Sequence, residues 1–254
     1  IGIEDDGSFL VRTPGLLPLV WRENEGYSDR GYADIKEKIV STQDIPPEKL
    51  LIREVCRSGG AFGVITNENP QSYVPFRMGD AFYWSESTGF VDFKRVVGGA
   101  WSEIVSINDA GVATGTRYFG PTTASFVWSA SEGTTFFEGL SDDPCLAKDI
   151  NDRNQVVGFC FITGTFQKAR NRVAALLARV FKRWIIPTYE PKHAFLWDSG
   201  QTTDLNLLIP PDSGWELTEA HGINNRGQIV GIGLLDGKEQ AFLLTPIEEK
   251  DEDF

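Results

Sequence analysis

Short apolar runs recur along this chain, and most are bounded by turns of Asn, Asp and Gly. Three nine-residue segments align without gaps: Ile107-Asn-Asp-Ala-Gly-Val-Ala-Thr-Gly115, Ile150-Asn-Asp-Arg-Asn-Gln-Val-Val-Gly158 and Ile223-Asn-Asn-Arg-Gly-Gln-Ile-Val-Gly231. Val55-Cys-Arg-Ser-Gly-Gly-Ala-Phe-Gly63 is a degenerate fourth. An apolar tetramer follows each: Ala81-Phe-Tyr-Trp84, Ser125-Phe-Val-Trp128, Ala194-Phe-Leu-Trp197 and Ala241-Phe-Leu-Leu244, with Ser8-Phe-Leu-Val11 as a possible earlier copy. A third β-forming run follows in three units: Phe90-Val-Asp-Phe, Thr134-Thr-Phe-Phe and Thr202-Thr-Asp-Leu.

The turn chemistry predicts hairpins. Asn or Asp opens a turn by bonding nearby backbone. The fifth position needs a left-handed residue, and it is Gly59, Gly111, Asn154 or Gly227. A type I turn closed by a glycine bulge between antiparallel strands fits this pattern. The closing glycine of each copy marks close backbone approach or a bulge. Each unit supplies three to four strands in roughly 45 residues, a repeat length known from propellers. So small a unit must stack on neighbours to bury its apolar face.

Two stretches break the repeat. One spans 18–54 and includes Pro46-Pro-Glu-Lys-Leu-Leu-Ile-Arg-Glu, where proline can start a short helix. The other is an insertion at about 164–193. There Val173, Leu176, Leu177, Val180, Phe181 and Trp184 fall on one helical stripe. Arg172, Arg179, Lys182 and Arg183 lie on the other side, and Pro187 would stop the helix. Residues 165–192 hold seven Lys/Arg and one acid, leaving 17 basic and 35 acidic residues elsewhere. Such a helix suits three settings: packing on its own domain, an anionic membrane surface, or an acidic groove on a partner. With Trp184, the four basic residues are the candidate binding residues.

The expectation is an all-β, repeat-built, propeller-like domain over 1–246 with about four to five blades, a helical insertion, and a solvated acidic tail at 247–254. One blade closed by strands from both chain ends would give four blades. Composition agrees: among 254 residues, 26 Gly and one Met suit short strands and tight turns, and seven Trp can fill a core. A formal charge of −12 disfavours nucleic acid as a partner. No apolar run is long enough to cross a membrane as a helix. The chain opens on Ile1 without an initiator Met, as a processed product would.

His193-Ala-Phe-Leu-Trp197, Thr203-Asp-Leu and Gly222-Ile-Asn-Asn-Arg-Gly-Gln-Ile-Val-Gly231 resemble the HAF extracellular repeat family, named for its His-Ala-Phe motif. The resemblance covers most of 55–246. Asp80 and Ala124 replace the family's His in two copies. It implies a propeller-like fold and an extracellular or periplasmic location in a bacterial protein, and supplies no catalytic residues.

Chemistry is sparse. His193 and His221, at equivalent edges of repeat strands, are read as structural, and no GxSxG or Cys/His signature accompanies them. Asp109 and Asp152 recur at one repeat position, where they are turn formers or rim ligands for calcium. Trp84, Trp128 and Trp197 are core residues or sugar-stacking platforms. Three cysteines with no CxxC disfavour a zinc site, so neither metal nor cofactor is expected. The glycine-bulge register sends Cys145 and Cys160 to opposite faces of their hairpin, which predicts free thiols. Function then divides among a non-catalytic binding or interaction module with a protein or carbohydrate ligand, a carbohydrate-active hydrolase or lyase using rim carboxylates, and a structural surface protein.

Overall fold

The structure is a computed structural model describing the backbone of strands within 2–28, and residues 32–55, 59–66, 79–98, 101–119, 122–140, 144–162 and 191–247. It is mostly β. The strands are β1 Gly2–Ile3, β2 Phe9–Val11, β3 Leu19–Arg22, β4 Gly26–Ser28, β5 Leu50–Val55, β6 Ala61–Thr66, β7 Gly79–Ser85, β8 Gly89–Asp92, β9 Trp101–Ile107 and β10 Ala113–Phe119. They continue with β11 Thr122–Ser129, β12 Gly133–Phe136, β13 Cys145–Ile150, β14 Val156–Phe161, β15 Lys192–Asp198, β16 Gln201–Asp204, β17 Trp215–Ile223, β18 Ile229–Leu235 and β19 Lys238–Leu244. The helices are α1 Tyr32–Gln43 and α2 Phe93–Val97, with a 3-10 turn at Leu205–Leu207. Successive strands form five antiparallel sheets: β1–β4, β5–β8, β9–β12, β13–β16 and the three-stranded β17–β19.

Each nonamer spans the turn between the first two strands of a sheet. The residue that opens it pairs with the residue six positions on: Val55 with Ala61, Ile107 with Ala113, Ile150 with Val156 and Ile223 with Ile229. Ile3 pairs with Phe9 in the same way. By this pairing and by its Ile, Asp and Gly positions, Ile3-Glu-Asp-Asp-Gly-Ser-Phe-Leu-Val11 aligns with the nonamers as a fifth copy. It corrects Ser8–Val11, which is not an aromatic tetramer: Phe9–Val11 is a second strand, and Leu19-Val-Trp21 lies in the third. Among the described residues there are five sheets, and none is shared between strands from the two chain ends.

The closing glycines sit opposite a second bulge. Pairing slips past Arg53, Val105, Lys148 and His221 in the first strands of the four sheets after β4. A Cβ on Gly63, Gly115, Gly158 or Gly231 would stand 2.0–2.1 Å from the carbonyl oxygen of Leu51, Glu103, Leu146 or Glu219. This bulge overturns the free-thiol expectation. The Asn151 N–H bonds the Gln155 carbonyl at 3.1 Å, as a glycine-bulge turn requires. The slip at Lys148 then restores the opposition, Cys145 faces Cys160, and the two form a disulfide. Cys56 lies outside the described residues.

Segment 46–54 also differs from expectation. Pro46–Lys49 forms a turn, and Leu50, Ile52 and Glu54 alternate inward as β5 rather than forming a helix. The helix of that stretch is α1, which lays Tyr32, Ile35 and Ile39 on the β5–β8 sheet. Two of the predicted third runs end early. Asp92 caps α2 and Asp204 caps the 3-10 turn, each through a backbone N–H two residues on, so Phe93 and Leu205 leave the strands as buried anchors.

The core is a series of layers. One lies between α1 and β5–β8, and the next between β5–β8 and β9–β12. Two more separate β9–β12 from β13–β16 and β13–β16 from β17–β19. Beyond the last sheet, β1 lies against β17.

Candidate functional site

The nonamer turns are braced against one another by the second-position asparagines. Asn108 and Asn151 are 4 % exposed and Asn224 5 %. Each side-chain oxygen accepts a backbone N–H of its own turn, from Val112, Gln155 and Gln228 respectively. The amide nitrogens do the reverse. Asn108 Nδ2 donates to the Asn151 carbonyl at 3.0 Å, and Asn151 Nδ2 to the Asn224 carbonyl at 3.1 Å. Only a side chain that both accepts and donates can do this, so Asn is kept where Asp serves in a lone turn. The next position adds a second tie. Asp152 Oδ1 accepts the Asp109 N–H at 2.8 Å, Oδ2 accepts from Asn225 Nδ2 at 2.6 Å, and the Asp152 N–H donates to Asn225 Oδ1 at 2.6 Å.

A meander places the turns between strands one and two, and three and four, at the same end of each sheet. On this end lies an open groove of about 980 Å³. Its sides are two like turns, Ser85-Glu-Ser-Thr-Gly89 and Ser129-Ala-Ser-Glu-Gly133. The first serine of each turn accepts a backbone N–H three residues on: Thr88 to Ser85 at 3.0 Å and Glu132 to Ser129 at 3.1 Å. Tyr83, Gly111, Val112 and Val127 contribute to its lining. Gly111 takes φ +80°, and a Cβ there would stand 2.7 Å from Tyr83 Oη. Lys38 of α1 pairs with Glu86 at the groove edge. The hydrogen bond from Lys38 holds the Glu86 carboxyl below its usual range, and the same contact raises Lys38. The two serine turns repeat at one position of the unit, which is the one signal of this groove in the sequence.

The other sequence-derived residues fall as follows. Gly59, Gly111, Asn154 and Gly227 all have positive φ, between +60° and +83°. Trp84, Trp128 and Trp197 are at most 7 % exposed. Trp128 packs on Tyr83 and Phe93, and Trp197 stacks on Phe137. Trp84 and Trp197 border the groove from within the core, without a free face for a sugar. The carboxylate of Asp152 is taken up by bracing the turns. Among the described residues, no three His, Cys, Asp or Glu gather in a group able to hold a metal. Arg172, Arg179, Lys182, Arg183 and Trp184 lie outside the described residues. The chain leaves β14 at Phe161 and returns at Lys192, its pairing partner, at the sheet end away from the groove.

The two histidines are not equivalent. His193 belongs to a third strand, and its Nδ1 lies 2.6 Å from Asp204 Oδ2. That hydrogen bond raises the His193 pKa despite partial burial. Burial works to raise Asp204, yet the bonds from His193 and Asn206 prevail and hold it low. His221 instead occupies the bulge of a first strand. Burial pushes it down, against the opposing pull of Glu219 at 3.3 Å. Where His193 is replaced by Asp80, Lys94 answers from α2 at 3.3 Å.

Among the described residues, no helix is long and apolar enough to cross a membrane. A scan against protein-family models matches none of them, and a search of curated proteins returns no match.

Proposed function

We propose that this chain is a propeller-like repeat domain of the HAF type, and a non-catalytic binding module of an exported protein. The groove at the turn-bearing end holds the ligand. The observation that carries this reading is the pairing of two self-braced serine turns across an open cleft, above nonamer turns locked to one another. Such a cleft is formed before the ligand arrives, which lowers the ordering cost of binding. Its hydroxyls and backbone groups suit a polar ligand, a glycan or a polar protein loop. Glu86, tied to Lys38, is held ionised, which suits a positioning group rather than a proton donor. The Cys145–Cys160 disulfide supports an oxidising compartment such as the periplasm or cell exterior.

The test blocks the cleft. Ala130 and Ser131 are exposed on its wall, so Ala130→Trp and Ser131→Trp should leave the melting temperature unchanged. A glycan array and a surface-protein extract are then probed with wild type and variants. Ligands retained by wild type and lost by both variants support the proposal. Retention that ignores the variants contradicts it. Release of new reducing ends from a bound glycan, abolished by Glu132→Gln, would turn the reading toward a hydrolase.

A further inference from the structure

The sheet of β17–β19 stops one strand short of the other four. In those sheets the third strand is paired on both sides: β3 by β4, β7 by β8, β11 by β12 and β15 by β16. Among the described residues, nothing pairs with the outer edge of β19. This strand is seven residues long, with Lys238, Glu239, Gln240 and Ala241 exposed and Leu243 60 % exposed. An open edge of this kind is a template for another strand.

The filled slots show what belongs there. Phe82 pairs with Asp92 and Phe195 with Asp204, so in two of these sheets an aspartate ends the fourth strand opposite the tetramer's phenylalanine, whereas Phe136 takes that place opposite Phe126 in the β9–β12 sheet. β-forming residues precede it, Phe90-Val91 in one sheet and Thr202-Thr203 in the other. Two residues before Phe195, His193 holds the Asp204 carboxylate at 2.6 Å. Two residues before Phe242 stands Gln240, whose amide can donate in the same place, and Lys238 adds a positive charge two residues further along. Edge, apolar side chain and donor thus extend an interface that the chain already forms within itself.

We propose that the β19 edge accepts an extended strand from another polypeptide. The incoming strand runs antiparallel to β19, carries β-branched or aromatic residues opposite Leu243 and Leu244, and ends in an aspartate opposite Phe242. The surface is separate from the groove, and the proposal stands whether or not the groove binds a ligand.

The probe is a synthetic peptide with the sequence of residues 200–206, Gly-Gln-Thr-Thr-Asp-Leu-Asn, added to the full chain. Hydrogen exchange is followed at the amides of 238–244. Those that exchange freely in the protein alone should slow at least about tenfold with the peptide. A scrambled peptide, or one with Lys in place of Asp, should leave them unchanged. Leu243→Lys should melt like wild type and lose the peptide's protection. Three results would each overturn the proposal: edge amides already protected in the free protein, protection that grows with protein concentration alone, or no response to the peptide.

Discussion

A buried asparagine and a buried glycine carry most of the repeat's logic at the scale of single residues. Asn151 donates to Gln155 Oε1 at 2.8 Å and to the Asn224 carbonyl at 3.1 Å. Asn151→Asp sets a carboxylate against both oxygens and should destabilise by about 3 kcal/mol or more. The loss should shrink in acid, where the new carboxyl can protonate and donate. Denaturant unfolding of both proteins at pH 4 and pH 8 measures it, and an equal loss at both would contradict the bracing role. Gly158→Ala would bring a Cβ within 2.0 Å of the Leu146 oxygen and should cost about 4 kcal/mol or more, read by the same method. His193 adds a pH dependence. Its pKa is raised in the fold, so its contribution is full below the unfolded value near 6.5 and fades as pH rises through the folded one. The Asp204 side, with a lowered pKa, is lost only in acid. His193→Gln should therefore cost about 1–2 kcal/mol at pH 6 and clearly less at pH 9. A larger loss at pH 9 would reverse the assignment.

Hairpins and sheets show where the sequence was legible. The positive φ of Gly59, Gly111, Asn154 and Gly227 could be read directly, because few residues tolerate that conformation. The closing glycines announced a close approach, but not that a bulge at Lys148 would undo the register of its own turn. Bulge position depends on the carbonyl opposite, which periodicity does not reveal. The fifth nonamer escaped notice because Phe-Leu-Val replaces the usual ending and Glu4 stands in the asparagine position. Segment 46–54 misled because proline followed by Leu-Leu-Ile suits either a helix start or a strand, and α1's packing decides between them. The groove was invisible because it lies between two turns from different units. The disulfide has a direct check. Unfolded without reductant, the protein should titrate one thiol, Cys56, and with reductant three. Closing this 15-residue separation stabilises by about 3 kcal/mol in the chain-entropy account, so reduction should lower the melting temperature.

For the whole molecule, layered packing sets how stability is shared. From α1 to β17–β19 each sheet buries apolar side chains on the next, so the outer layers govern the fate of the inner ones. One face of the last sheet presents Val230, Ile232 and Leu243, with Leu243 paired to Val230 and Ala241 to Ile232. The β1–β4 sheet reaches the last sheet through β1, which is set against β17. Removing residues 1–31 is the most direct measurement of that arrangement, followed by thermal unfolding and dye binding to exposed apolar surface. A layered domain that needs its fifth sheet should lose about 4 kcal/mol, lowering the melting temperature by roughly 8–16 °C, and should gain dye binding. A shortened protein that melts cooperatively at the full-length temperature, with no added dye binding, would contradict it.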